Sequence, residues 1–379
     1  MTCCRLKRRS SLPASLISPM EEALALARAS HGQTSPNPAV GCVIVRDGAV
    51  IGRGTHTWAG VDHAEVLALR EAGELARGAT AYVTLEPCSH TGRTGPCADA
   101  LIAAGITHVV AAMEDPNPII KGDGFRKLRA AGVTVELDTA TTPDAERLNE
   151  PFFHFMRTGR PLVTLKAAVT LDGKIAAPGD NTGWITSERA RKHVQQLRHQ
   201  HDAILTGIGT VLADDPRLND RSGLPRSRPL LRIVADSQLR VPLNHQLVTT
   251  VAKDLVVATT SAASKERRAA LEKSGAEIWT LDAPNGRTNL RGIVEKLAER
   301  KYLSLMIEAG SKVNWAALEA GIVDKVFFYY APKILGGLRS LPVAGGAGVQ
   351  NRMDAIQLHG TQLHPIPPDE FAVEAWVAK

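Results

Sequence analysis

The chain is poor in aromatic side chains, which make up 4% of its 379 residues. Proteins that grip single strands of nucleic acid stack bases on exposed rings, so that class is disfavoured at once. No apolar run approaches the ~18 residues of a membrane span, so no membrane partner is expected. Cysteine is scarce and odd in number: five, at positions 3, 4, 42, 88 and 97. Irregular spacing excludes a disulfide framework and fits a reducing compartment, here the cytoplasm. Acids are missing from residues 1–18, where Arg5, Lys7, Arg8 and Arg9 carry four of the net +6 charges. Without that tail the chain stands near +2, which is no nucleic-acid footprint. Residues 1–17 read as a disordered basic extension, with a composition distantly like that of a transit peptide. The length that remains suits two domains, each able to bury a core.

What is present is a set of metal-ligand residues. His63-Ala64-Glu65 is followed by Pro87-Cys88 and then by Cys97. One imidazole and two thiolates give Zn2+ three protein ligands and leave the fourth tetrahedral position open, as a catalytic zinc requires. Water in that position becomes a nucleophile because its pKa falls to ~7. Glu65 fits the proton carrier such a water needs. His-x-Glu, then Pro-Cys, then a second Cys is the zinc deaminase pattern. The expected reaction is hydrolytic removal of an amino group from a nitrogen heterocycle. Alone, His63 would read as a surface or capping residue; Glu65 and two thiolates in register set that reading aside.

Periodicity and turn signals divide the chain. Ser18-Pro19-Met20-Glu21 reads as a capping box opening a helix to about residue 30. Strands are expected at 40–45 and 50–55 around an Asp47-Gly48 hairpin turn. Asp62 is expected to cap a helix reaching residue 76, with His63 and Glu65 in its first turn. A strand at 81–85 ends at Pro87-Cys88, and Cys97 opens another helix, a position that favours thiolate. Further strands are expected at 108–113 and 133–137, with a helix near 124–131. A segment over 139–160, holding a polar, helix-like run at 143–150, forms the join. Beyond it a second alternation of strands and helices begins at 162. The organisation expected is a basic tail (1–17), a first α/β domain (18–150) and a second (151–379).

Eight residues separate Cys88 from Cys97, more than most zinc deaminases place there. That run, with Pro36-Asn-Pro-Ala-Val-Gly-Cys42 upstream, resembles the pyrimidine deaminase of the riboflavin pathway. Gly95 and Asp62 stand where that family usually has Pro; neither is a ligand, so the departures concern loop shape. In the second half, Lys166, Thr170-Leu-Asp-Gly-Lys174, Trp184-Ile-Thr-Ser187, Thr206-Gly-Ile-Gly-Thr210, Asp236-Ser237 and Glu308-Ala-Gly310 resemble the pyrimidine reductase of the same pathway. In isolation Gly207–Thr210 reads as a loop turn, and Glu308–Trp315 as a strand–helix connection. From Ser18 onward the chain resembles the bifunctional deaminase–reductase family.

The resemblance implies an N-terminal cytidine-deaminase-like three-layer domain and a C-terminal dihydrofolate-reductase-like α/β domain that uses NADPH. It implies His63, Cys88 and Cys97 as metal ligands and Glu65 as the catalytic acid–base. Asn37, His56, His90 and Arg93 would read the pyrimidine and its phosphate. Ala168, Trp184, Thr210, Asp214, Ser237 and the turn Gly310, Ser311, Lys312, Val313, Asn314, Trp315 and Ala316 would hold the dinucleotide. Thr182, Arg198, Leu218, Arg221 and Glu308 would hold the substrate, the arginines suiting a ribose phosphate. Asp172 or Lys174 would assist proton transfer, and Arg240 or 259–261 would receive a 2′-phosphate. The expected partner is a small phosphoribosylated pyrimidine, in a homo-oligomeric enzyme. Two other readings are a deaminase whose second half is a non-catalytic binding module, and a nucleic-acid deaminase. The near-neutral body argues against the latter.

Overall fold

The computed structural model describes residues 17–57, 62–90, 95–117, 122–179 and 182–379. The basic tail expected over 1–17 lies outside them except for Ile17. The first half runs α1 (Pro19–Ala29), β1 (Gly41–Arg46), β2 (Ala49–Thr55), α2 (Ala64–Ala72), β3 (Thr80–Val83), α3 (Cys97–Ala103), β4 (His108–Ala111), α4 (Asp123–Ala130) and β5 (Thr134–Leu137). Its five-stranded sheet has the order β2-β1-β3-β4-β5. The β1–β2 and β1–β3 pairs are antiparallel; β3, β4 and β5 run parallel.

Local chemistry explains these elements. The Ser18 Oγ accepts from Glu21 N and the Glu21 carboxylate accepts from Ser18 N, so both arms of the capping box are made. Asp47 (φ 51°) and Gly48 (φ 76°) supply the two left-handed residues of a tight hairpin. Asp62 is not the helix cap expected of it: His63 takes that position, and Asp62 ion-pairs with Arg70. Gly52 and Gly54 let α2 lie directly on β2, because a Cβ on either would overlap the carbonyl of Ala68 or Ala64.

Apolar faces sort the helices into layers. Ala64, Ala68, Leu101, Phe125 and Leu128 of α2, α3 and α4 pack on one face with Ile44, Val83 and Val109. Met20, Leu24 and Ala27 of α1 pack on the other with Val43. Two helices follow β5: α5 (Thr142–Leu148) and α6 (Glu150–Thr158), the latter unforeseen as a helix. Leu148, Phe152 and Phe153 join the α1 face, completing a three-layer α/β/α arrangement.

The second half contributes β6 (Leu162–Thr170), β7 (Lys174–Ala176), α7 (Glu188–His199), β8 (Ala203–Gly207), α8 (Ile208–Asp214), β9 (Leu231–Ala235), α9 (Gln246–Thr249), β10 (Leu255–Thr259), α10 (Lys265–Lys273), β11 (Glu277–Thr280), α11 (Leu290–Glu299), β12 (Ser304–Ile307), α12 (Ser311–Glu319), β13 (Lys325–Ala331), β14 (Leu341–Pro342), β15 (Leu358–Ile366) and β16 (Glu370–Val377). Nine strands form one sheet in the order β11-β10-β9-β8-β12-β6-β13-β16-β15. The first seven in that order are parallel; β16 and β15 add an antiparallel hairpin at one edge. Strand β12, late in the chain, inserts between β8 and β6. The strand ends around it, Thr170, Gly207 and Ile307, therefore gather at one rim, where open parallel sheets bind ligands. Residues 208–214 form a helix, not the loop turn that Gly207–Thr210 suggested in isolation.

Candidate active sites on the two halves

In the first half, His63 stands at the N-terminus of α2, Cys88 lies beyond β3, and Cys97 is the first residue of α3. His63 Nδ1 is 3.1 Å from Cys97 Sγ and 3.6 Å from Cys88 Sγ, and the Cys97 amide donates to Cys88 Sγ at 3.3 Å. All three ligand atoms lie within 4.8 Å of one another. The Cys97 thiol and His63 hold Cys88 below the ordinary thiol range, while that shared proton and burial push Cys97 above it. A divalent cation replaces such a proton directly, so the donor set fits zinc. Glu65 is 3% exposed, and burial, then the Cys88 charge, pushes its carboxyl up to about 7. That suits a group that must take and return a proton.

The other candidate readers differ. His56 is buried; its Nε2 is 3.1 Å from Asn37 Nδ2, and its ring packs edge-on 5.4 Å from that of His63. The amide nitrogen can only donate, so His56 accepts through Nε2 and carries its proton on Nδ1 toward Asp62 O, at 3.5 Å. His90 is exposed. Arg93 lies outside the described residues.

Glu86, to which no role was assigned, holds the site together. It is 4% exposed and accepts from four main-chain amides: Asp115 (3.1 Å), Gly122 (3.0 Å), Gly124 (2.8 Å) and Phe125 (3.3 Å). It thus fastens the Pro87-Cys88 step to the start of α4, where Gly124 leaves no room for a Cβ beside Pro87 O. Its signal in the sequence is a carboxylate two residues before a metal ligand.

In the second half, Glu308 follows β12. Its carboxylate accepts from Lys166 Nζ (3.0 Å) and from Arg198 Nη2 (2.9 Å) and Nε (3.1 Å). Burial opposes its ionisation, yet Lys166 and Arg198 outweigh burial and hold the carboxyl down at about 2. Arg198 also donates to Asn219 O (3.0 Å), and Arg221 Nη1 to Asn219 Oδ1 (3.4 Å). Leu218 is buried beside them with φ 50°. Thr182 is exposed. Asp172 accepts from Thr170 Oγ1 (2.5 Å), Leu335 N (3.2 Å) and Gly336 N (2.7 Å); it pins a turn rather than pairing with Lys174.

At the neighbouring rim, Gly310 precedes α12, and open space surrounds it except for Thr210 Oγ1 at 3.5 Å from a built Cβ. Ser311 Oγ, Asn314 Oδ1, Trp315 Nε1 and Thr206 Oγ1 are buried there without hydrogen-bond partners. Unpaired buried polar atoms beside a free helix N-terminus fit an anionic dinucleotide. Ala168 lies on β6, Val313 packs against Gly207, and Lys312 and Ala316 lie on α12. Trp184 is 70% exposed with the Arg191 guanidinium 4.8 Å over its ring. Asp214 is exposed at the end of α8. The Ser237 hydroxyl is 3.2 Å from Thr288 Oγ1 and accepts from Thr288 N (3.0 Å). Arg240 is exposed nearby, and the Thr259 hydroxyl is buried without a partner.

A buried acid beside a three-ligand metal site on one sheet, and a dinucleotide-type rim on another, define a two-headed enzyme. Comparison with known proteins agrees. The cytidine and deoxycytidylate deaminase zinc-binding region matches residues 15–113, and the RibD C-terminal domain matches 161–369. The chain is 44% identical to the riboflavin biosynthesis protein RibD of Actinobacillus pleuropneumoniae over 339 residues, 89% of each chain. It is 44% identical to that of Escherichia coli over 367 residues, 92% of this chain and 96% of the other. The solved structure of Acinetobacter baumannii RibD superposes with a TM-score of 0.83 at 35% identity, covering 95% of this chain and 98% of that one. A Thermotoga maritima diaminohydroxyphosphoribosylaminopyrimidine deaminase/5-amino-6-(5-phosphoribosylamino)uracil reductase superposes with a TM-score of 0.78 at 33% identity over the same shares. The chain belongs to the RibD family, the bifunctional deaminase–reductases of riboflavin biosynthesis.

Proposed function

We propose that residues 18–150 deaminate 2,5-diamino-6-(5-phosphoribosylamino)pyrimidin-4-one and that residues 151–379 reduce the deaminated product's ribosylamino group to ribitylamino. The convergence of His63, Cys88 and Cys97 around one point, with buried Glu65 beside it, carries this reading. Zinc on those three ligands would supply an activated water. Glu65 takes one proton from that water and delivers it to the ring nitrogen, then carries the remaining hydroxyl proton to the amino group, so that the C–N bond breaks, ammonia leaves and the ring carbonyl forms. Asn37, oriented by His56, together with His90 and Arg93, is assigned to reading the pyrimidine and its phosphate. In the other half NADPH would supply hydride to the sugar carbon. Gly310–Ala316 with Thr210 receives the pyrophosphate, and Ala168, Trp184, Asp214 and Ser237 line the rest of the dinucleotide. Arg240 or the segment 259–261, where Thr260 Oγ1 donates to Ser237 O (2.8 Å), would receive a 2′-phosphate. Arg198 and Arg221 hold the substrate with Thr182, Leu218 and Glu308. Lys166, buried and hydrogen-bonded to Glu308, protonates the sugar oxygen as the ring opens, a role better supported than one for Asp172.

The enzyme is read as a cytoplasmic homo-oligomer acting on a small molecule. Its site thiols must stay reduced, and among the described residues no helix is long and apolar enough to cross a membrane. Met353 and Leu363, just before and on β15, are 89% and 67% exposed, which supports self-association at the C-terminal hairpin. A coupled assay tests the whole reading. With the diaminopyrimidinone and NADPH, absorbance falls in wild-type enzyme and is unchanged in Glu65→Gln. Ammonia release without NADPH oxidation would instead favour a deaminase joined to a binding module. Neither signal from folded, zinc-loaded enzyme would overturn the substrate.

A further inference from the structure

One histidine crosses the seam between the two halves. His199, the last residue of α7, has a side chain 4% exposed. Its Nδ1 is 2.8 Å from Asp220 Oδ2, and its Nε2 is 2.8 Å from the carbonyl oxygen of His31. Both partners are acceptors, so the ring spans two acceptors, one on each side of the seam. The first half is shaped to receive this ring. Gly32 has φ 75°, and a Cβ there would fall 2.6 Å from His199 Cε1. Beside it Ser227 N donates to Gly32 O (3.0 Å), Ser35 Oγ to Asp202 Oδ2 (2.8 Å) and Arg228 Nη2 to Ser35 Oγ (2.8 Å).

The clasp joins segments that lead into both sites. On the reductase side His199 follows Arg198, and Asp220 sits between Asn219 and Arg221, the group that braces the Glu308 site. Arg226 locks this side by donating to His199 O (2.8 Å) and Asp220 Oδ2 (3.2 Å). On the deaminase side, residues 31–37 end at Asn37, which meets His56 beside His63. We infer that His199 is a positioning residue that couples the two substrate sites, holding the Asn37 wall of one and the Arg198–Arg221 wall of the other in a single register. This inference rests on the substrate assignment proposed above.

Two variants test it from opposite sides of the seam. His199→Gln removes the ring but keeps a side-chain donor, and Gly32→Ala pushes a methyl into the ring. Ammonia release gives the deaminase KM, and NADPH oxidation with deaminated substrate supplied gives the reductase KM. Both KM values are expected to rise about fivefold or more in each variant, in the range of ordinary coupling between sites. The two kcat values and the zinc content stay close to wild type. A purely structural role would lower Tm or the active fraction, hence kcat, and leave both KM values in place. If both activities persist and the deaminase KM is unmoved in both variants, the coupling is wrong and the functional reading stands. If wild-type enzyme shows neither activity, that reading falls and takes the coupling with it.

Discussion

The two sites are built at different scales of sequence. The deaminase half draws His63, Glu65, Cys88 and Cys97 from one stretch of 35 residues. The reductase half pairs Lys166 with Glu308 across 142 positions and adds side chains from strand ends and helix starts between them. The difference follows from the chemistry. A metal with an open position accepts few residue types, so its ligands leave a compact signature. A dinucleotide rim is largely main chain, whose amides any residue can supply, so little of it shows in residue identity.

Paired substitutions break the comparison most sharply. Glu65→Gln should cut deamination by about 10²–10⁴-fold, the contribution typical of a positioned acid–base. Reduction should be untouched when deaminated substrate is supplied. Lys166→Met should do the reverse, slowing reduction by a similar order while ammonia release persists. Separate ammonia and NADPH assays on each variant check this. Equal loss of both activities in either variant would mean that the halves do not act as separate chemical units.

Glu86→Gln probes how the compact site is held. The amide NH2 would face two main-chain donors where a carboxylate oxygen now accepts, and charge-assisted bonds contribute about 1.5–3 kcal/mol each. A loss of about 4 kcal/mol is expected, confined to the first half. Urea unfolding followed by hydrogen exchange in α4 checks the stability. Weakened thiolate absorption in the cobalt-substituted protein checks that Cys88 has shifted. Unchanged cobalt spectra with normal stability would show that the four amides are equally well served by a neutral partner.

Local signals were readable wherever one residue type is tied to one geometry. Ser18 and Glu21 announced their capping box, Asp47-Gly48 its hairpin, and His63, Glu65, Cys88 and Cys97 their convergence. What was hidden depends on distant packing. Asp62 looked like a cap, but His63 occupies that place and Asp62 serves Arg70. Helix α6 was obscured because Phe152 and Phe153 are helical by virtue of the α1 face they fill. The edge hairpin β15–β16 escaped notice because β15 is mostly exposed and lacks a clean apolar alternation. Lys166 and Glu308 came from resemblance alone, since nothing local says that residues so far apart will meet.

The halves should also answer acid with opposite signs. His201 is 7% exposed; burial holds its pKa down at about 4, although its Nδ1 donates to Leu197 O at 2.7 Å. Between that value and the ordinary ~6.5 the unfolded chain binds the extra proton, so this contribution is lost as pH falls from about 6.5 toward 4. Its full size is about 3 kcal/mol, at 1.36 kcal/mol per unit. Asp115 in the first half behaves oppositely. Burial raises its carboxyl to about 6, so in zinc-free protein its contribution is present at low pH and lost as pH rises through 6. Four of the five tryptophans, 184, 279, 315 and 376, lie in the second half, so their fluorescence reports that half during urea titrations. Its midpoint should fall between pH 6.5 and 4.5, and His201→Gln should flatten the fall. Exchange protection of α2 and β3, followed in zinc-free protein, should hold or rise over the same range, because the raised carboxyls of Glu65 and Asp115 together outweigh the lowered Cys88 thiol, whose contribution runs the other way. A parallel fall in both halves would mean that their stabilities are one cooperative quantity, and that their separation in sequence does not extend to unfolding.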